Sequence, residues 1–137
     1  MSETTTHSGS CLCNAVHFEI SGEIKNIAHC HCIMCQKAHG AAFGTYAATP
    51  KESFDLHGQE HITEYESSPG VTRTFCKHCG SNIQWIGSSP RSVEWASFAL
   101  ALLDDDFQAE KQKHIFTDNK VDWIDLCDQH PKFKEEH

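Results

Sequence analysis

Seven of the eight cysteines in this 137-residue chain stand in three tight groups: Cys11 with Cys13, then Cys30, Cys32 and Cys35, then Cys76 with Cys79. Gaps of one or two residues set thiolates side by side, which suits a soft metal ion better than a hard cation. A tetrahedral zinc with Zn–S of ~2.3 Å needs four sulfurs roughly 3.8 Å apart. Cys76-Lys-His-Cys79-Gly80 is a knuckle that offers two of them from one side, and Gly80 lets the backbone curl behind the ion. Cys11-Leu-Cys13-Asn14 offers two more from a tighter bend, with Asn14 suited to a left-handed backbone. The outer pairs together make a saturated, structural site of four cysteines.

That leaves Cys30, Cys32 and Cys35, three ligands from one short loop. Three protein ligands with an open fourth position, for water or substrate, is the pattern of a catalytic zinc. A second closed site is the alternative, with Cys127, His29, His31 or His39 as the fourth ligand. A redox dithiol or an iron–sulfur ligand set competes as well. Of His29 and His31, at most one is expected to face the metal. His31 and His39 are candidate proton carriers, because imidazole titrates in the useful range. Arg73 and Lys37 are scarce cations beside the cysteine groups, able to hold a substrate anion or to form an ordinary surface ion pair. Cys127, in a polar stretch, reads as a lone half-buried thiol.

The elements that must carry these groups are mainly strands. Val16, Phe18 and Ile20 alternate with His17 and Glu19, the period of a half-buried strand, and Ile24 to His29 is expected to pair back onto it. Gln36 to Ala42 reads as a short helical turn closed by Gly40. Further strands are expected at Phe43–Ala48, Phe54–His57, Ile62–Tyr65, Val71–Phe75 and Ile83–Ile86, with a helical turn at Pro50–Ser53 and a chain reversal at Ser67–Gly70. Val93 to Leu103 is read as strand, His114–Phe116 as strand, and Val121–Ile124 as a short helical turn against the core. The result is a mainly β single domain over residues 9–127, with a polar disordered N-terminal tail at 1–8 and a polar C-terminal tail at 128–137.

Composition narrows the function classes. Eleven Lys and Arg against nineteen Asp and Glu give a net charge of −8, which argues against a nucleic-acid backbone or an anionic membrane as partner. A hydrophobic fraction of 39% is modest, so metal ligation that turns binding energy into folding energy would be useful. The N-terminus has no basic segment followed by an apolar core, and the apolar run around Trp95–Leu103 is too short to span a bilayer. The expected setting is a soluble, reducing one, the bacterial cytoplasm, where clustered cysteines mean metal rather than disulfides.

Three segments together carry a family likeness: Gly9-Ser10-Cys11-Leu12-Cys13, then His31-Cys32-x-x-Cys35-Gln-Lys-Ala-His39-Gly40, then Phe75-Cys76-x-x-Cys79-Gly80-Ser81. In this order and separation they resemble the glutathione-dependent formaldehyde-activating enzymes, grouped with centromere protein V. The likeness runs from Gly9 to about Asp105, and the region of His114–Phe116 and Trp123 fits it too. It implies a β-tent of several small coiled antiparallel sheets stapled by zinc. It also implies a structural zinc at Cys11, Cys13, Cys76 and Cys79 and a catalytic zinc at Cys30, Cys32 and Cys35. The implied activity is that of a carbon–sulfur lyase, joining glutathione or a similar thiol to formaldehyde or a small aldehyde, or the reverse. Asn14 stands where the family usually has glycine, and Gln36 where a basic residue is common. The alternative function is a non-enzymatic zinc-stabilised module that binds a protein partner.

Overall fold

Val16, Phe18 and Ile20 are at most 1% exposed while His17 and Glu19 face solvent, as the alternation requires. The computed structural model describes residues 6–135. The chain runs β1 (His7–Ser10), β2 (His17–Ile20), β3 (Lys25–Cys30), α1 (Ile33–His39), β4 (Gly44–Pro50), β5 (Phe54–His57), β6 (Ile62–Ser68), β7 (Val71–Cys76), β8 (Asn82–Ile86), α2 (Arg91–Glu94), β9 (Trp95–Ala99) and β10 (Gln112–Ile115). A small sheet has the order β1-β2-β5, and a larger one the order β10-β3-β4-β9-β8-β7-β6. The fold is mainly β, and among the described strands the pairs are antiparallel but for the parallel pair β10–β3.

The two sheets close on one apolar core. Phe18 and Ile20 of the small sheet meet Ile27, Ala47 and Phe98 of the large one. The Phe18 and Phe98 rings meet edge-on at 5.5 Å, and Phe54 packs on both. Two smaller apolar clusters lie under the cysteines. Val16 and Ile83 pack with Cys11 and Cys76, while Tyr46 and Ala99 pack with Cys30 and Cys35.

Several expectations need correction. Residues 24–29 do not pair with β2, because β1 and β5 occupy both of its edges; β3 pairs with β4 and β10 instead. Within Val93–Leu103 only Trp95–Ala99 is strand, preceded by α2 and followed by a 3-10 turn at Leu100–Leu102. Near the C-terminus the helical turn is at Thr117–Asn119, entered through a left-handed Phe116 (φ 57°), and not at Val121–Ile124. Trp123 is 74% exposed and packs on no core.

Both tails are also shorter than expected. His7 and Ser8 belong to β1, and residues 1–5 lie outside the described residues. Residues 128–135 run along β10: Phe133 N–H donates to the His114 carbonyl and His114 N–H to the Pro131 carbonyl, each at 2.9 Å. Residues 136–137 lie outside the described residues. Among the described residues no helix is long and apolar enough to cross a membrane.

One corner holds the small sheet against the first cysteine knuckle. Gly58 turns the chain at φ 84°, and a Cβ there would stand 2.1 Å from the Ala15 carbonyl oxygen. Left-handed strain and a clash with rigid backbone add up, so Gly58→Ala should cost about 2–4 kcal/mol. A thermal melt of the zinc-loaded protein checks this; an unchanged midpoint would mean the corner relaxes freely.

Candidate metal centres

The outer cysteines come together as the spacing predicts. The four sulfurs of Cys11, Cys13, Cys76 and Cys79 lie within 4.8 Å of one another, with Cys11–Cys13 and Cys13–Cys76 each at 3.7 Å. That separation matches the edge of a zinc–sulfur tetrahedron, so the donor set fits the ion in number, chemistry and spacing. Two turns build it. Asn14, left-handed at φ 71°, donates its N–H to the Cys11 carbonyl at 3.1 Å. Gly80, left-handed at φ 81°, donates to the Cys76 carbonyl at 2.8 Å.

Ser81 ties the two knuckles together. Its hydroxyl oxygen accepts the Leu12 N–H at 3.0 Å, and its proton reaches the Cys79 sulfur at 3.2 Å. That hydroxyl, followed by the Ser81 backbone N–H, brings the Cys79 thiol down to about 5. Val16 N–H donates to the Cys11 sulfur at 3.3 Å. Cys11 and Cys76 are buried and Cys13 is exposed, so the group sits at the rim of its apolar cluster.

The inner three sulfurs form the second group. Cys30 ends β3, Cys32 caps α1 and Cys35 lies in the helix's first turn, all three sulfurs within 4.8 Å of one another. The Cys30 and Cys32 sulfurs are 3.4 Å apart, and the Cys32 sulfur accepts the Cys35 N–H at 3.3 Å, a thiolate in the place of a serine or aspartate cap. Cys30 and Cys35 beside it, then that N–H and Arg73, hold the Cys32 thiol far below its ordinary value. Such a thiol is ready to become a ligand. Among the described residues no fourth His, Cys, Asp or Glu joins the group.

Its surroundings are polar and joined. Arg73, only 6% exposed, reaches the Cys35 sulfur through Nη2 at 3.6 Å, the Tyr46 hydroxyl through Nη1 at 3.4 Å and the Ser67 hydroxyl through Nε at 3.2 Å. His39 Nε2 lies 2.7 Å from the Tyr46 hydroxyl, and His39 Nδ1 lies 3.3 Å from Asn82 Nδ2. Burial, and after it Arg73, lowers the His39 pKa. Of the residues singled out in the sequence, Arg73 and His39 are therefore in the network around the three sulfurs. Lys37 is exposed on α1 with no contact to it.

The histidines flanking Cys30 and Cys32 face elsewhere, and both face the same way. Residues two apart in extended chain share a side, so His29 and His31 lie opposite the two cysteines. His31 is fully buried between Phe43 and His114, its Nε2 at 2.8 Å from His114 Nδ1. His114 Nε2 in turn lies 2.9 Å from the Asp128 carboxylate. Burial first, then His114 and His29, push the His31 pKa down to about 4. His29 is spent on Thr45 and Gln112, at 2.8 and 2.6 Å. Gln36, noted in the sequence as a departure from the family's pattern, donates to the His31 and Asn119 carbonyls at 2.7 and 2.8 Å and braces the loop. Cys127 is exposed rather than half-buried and joins neither sulfur group.

Tyr46, Ser67, Asn82, His114 and Asp128 were not singled out as site residues in the sequence, and Ser81 stood there only as the end of the third quoted segment. Tyr46, Ser67 and Asn82 come to the network around the inner cysteines through strand pairing, while His114 and Asp128, the latter from the docked tail, come to His31.

Known proteins resemble this chain in sequence and fold. A family model described as glutathione-dependent formaldehyde-activating enzyme matches residues 6–119. A protein of Halomonas elongata with the provisional name of glutathione-dependent formaldehyde-activating enzyme is 30% identical over 127 residues, 86% of this chain and 79% of its own. An uncharacterised lyase of Schizosaccharomyces pombe is 27% identical over 131 residues, 93% of this chain and 90% of its own. A crystal structure of a Rhodobacter sphaeroides protein aligns with a TM-score of 0.58 at 22% identity, covering 73% of this chain and 90% of that one, a likeness of fold.

Proposed function

The chain belongs to the glutathione-dependent formaldehyde-activating enzyme family, and from that membership we propose that it is a zinc-dependent carbon–sulfur lyase, joining a thiol such as glutathione to formaldehyde or another small aldehyde, or parting the two. The observation that carries this reading is the unequal division of seven sulfurs into a group of four and a group of three, the latter beside a buried arginine. Cys30, Cys32 and Cys35 would hold a zinc ion that, when bound, acidifies a thiol and polarises a carbonyl oxygen.

The rest falls to the chain's own side chains. Three thiolates exceed the charge of a divalent ion by one unit. Arg73 offsets that excess from the Cys35 side, so that the site keeps its pull on a substrate. Its burial and its three bonds favour this duty for Arg73 over the substrate-anion role suggested by the sequence. With the His31 ring turned to His114, proton handling near the sulfurs falls to the His39 side of the network. Lys37, on the exposed face of α1, is left for any contact with the outer part of a thiol substrate.

The test uses zinc-loaded protein, glutathione and 13C-labelled formaldehyde, with adduct exchange followed by NMR. Exchange faster than the buffer background is expected, and no acceleration would remove the reaction. A chelator should lift one of two zinc ions and stop the exchange while the fold persists. Two equally inert ions would favour the protein-binding module instead.

A further inference from the structure

The hydroxyl of Tyr46 has its proton assigned by elimination. The Ala38 carbonyl can only accept, so the Asn82 side-chain nitrogen 3.3 Å from it is the amide NH2. The same nitrogen is 3.3 Å from His39 Nδ1, which therefore accepts and leaves the neutral ring protonated on Nε2. His39 Nε2–H then donates to the Tyr46 oxygen at 2.7 Å. Arg73 has no acceptor to offer, so its Nη1 also donates to that oxygen, at 3.4 Å. Both phenol lone pairs are filled, and the Tyr46 proton has no acceptor in any hydrogen bond found among the described residues. The guanidinium that reaches Tyr46 also reaches the Cys35 sulfur, and Tyr46 packs in one cluster with Cys30 and Cys35.

We propose that Tyr46 is a catalytic residue, whose O–H donates to the aldehyde oxygen while the C–S bond forms beside the three sulfurs. This rests on the lyase reading above. In the forward direction the thiolate sulfur bonds to the carbonyl carbon, and the C=O π pair moves onto oxygen. The Tyr46 O–H donates a hydrogen bond to that oxygen as its charge develops, and the oxygen takes the proton released by the incoming thiol to become the adduct hydroxyl. In the reverse direction the C=O bond re-forms as the C–S bond breaks, the departing thiolate takes up the proton the hydroxyl gives up, and the Tyr46 O–H goes on donating to the oxygen. His39 and Arg73 are positioning residues that fix the phenol oxygen. A donor held in advance at a developing oxyanion accelerates such steps by roughly 100–1,000-fold.

Two measurements decide it. Nitrogen-15 NMR of zinc-loaded protein should show His39 protonated on Nε2. Protonation on Nδ1 would turn the Tyr46 proton toward His39 and overturn the proposal, whatever the activity. Tyr46→Phe keeps the ring and its packing, and should lower kcat for adduct exchange about 100-fold. Its zinc content and its inhibition constant for S-methylglutathione, which lacks the oxygen, should not move. A loss under threefold, or a parallel loss of S-methylglutathione binding, makes Tyr46 merely structural and overturns the role. An inactive wild-type protein is a different result: it sinks the lyase reading itself, and this role with it.

Discussion

Cys76→Ser is expected to leave no folded protein at 37 °C. Cys76 is fully buried at the end of β7, where its sulfur is one of four and its side chain packs with Val16 and Ile83. A structural zinc bound by thiolates contributes apparent free energies of about 10–16 kcal/mol in small zinc domains. The whole stability of an ordinary domain is about 5–15 kcal/mol. Removing one of the four sulfurs therefore removes an amount comparable to the total, and serine adds a buried hydroxyl in place of a soft ligand. The same loss unties the two knuckles that Ser81 bridges, one at the end of β1 and the other at the end of β7. Far-UV circular dichroism and the soluble yield read the outcome. Cys127→Ser, at an exposed thiol, serves as the control and should melt with the wild type. A Cys76→Ser protein that keeps two zinc ions and melts within a few degrees of the wild type would mean that this group is no staple.

The parts of the fold legible in the sequence are those fixed by nearest neighbours. Alternation at Val16–Ile20 marks a strand, Gly80 and Asn14 mark the backs of the two knuckles, and both take the left-handed conformation. The two outer pairs and the inner three were legible for the same reason, and that the outer pairs join followed from the four ligands a closed zinc site needs. Pairing was not. The strand at 25–30 looked free to return onto β2, but the competitor for that edge, β5, comes much later in the chain. The same non-locality hid the surroundings of the inner cysteines. Tyr46 lies on β4 and Arg73 on β7, and only the order β4-β9-β8-β7 brings them to the sulfur of Cys35. Trp123 misled in the opposite way: an aromatic residue suggested core, and it is exposed.

The two sulfur groups also differ in what surrounds them, and this difference supports the chemical role proposed for the smaller one. Around the four-sulfur group the neighbours that touch sulfur are backbone N–H groups and a serine hydroxyl, neutral donors suited to a site that stays as built. Around the three-sulfur group a buried guanidinium adds to the Cys35 N–H, and it is joined through a phenol to a histidine. A cation held in such a place costs desolvation and is repaid only by the negative charge it faces. Arg73 has no carboxylate within ion-pair distance among the described residues, and it helps to lower the Cys32 thiol, so the charge it would face is that of the sulfur group. The inner group is therefore arranged to manage charge, where the outer one is arranged to hold shape.

Cys32→Ser tests that distinction with the least disturbance to the scaffold. The Cys32 sulfur has two duties: it belongs to the metal group, and it accepts the Cys35 N–H to start α1. Serine is among the preferred residues at such a cap, so the second duty survives the substitution while the first is lost. The helix start, the apolar core of Phe18, Ile20, Ile27, Ala47 and Phe98, and the four-sulfur staple all remain in place. The expected protein is folded, melts within about 5 °C of the wild type and carries one zinc ion in place of two, a shift of roughly 1–2 kcal/mol for a domain of this size. Adduct exchange should fall at least 1,000-fold, because a bound ion that acidifies a thiol supplies several kcal/mol of transition-state stabilisation. Metal analysis, a melt and the 13C exchange assay on one sample read all three. If Cys32→Ser and Cys76→Ser fail alike, both groups are structural and the lyase assignment falls; if Cys32→Ser keeps full exchange, the chemistry lies elsewhere on the chain.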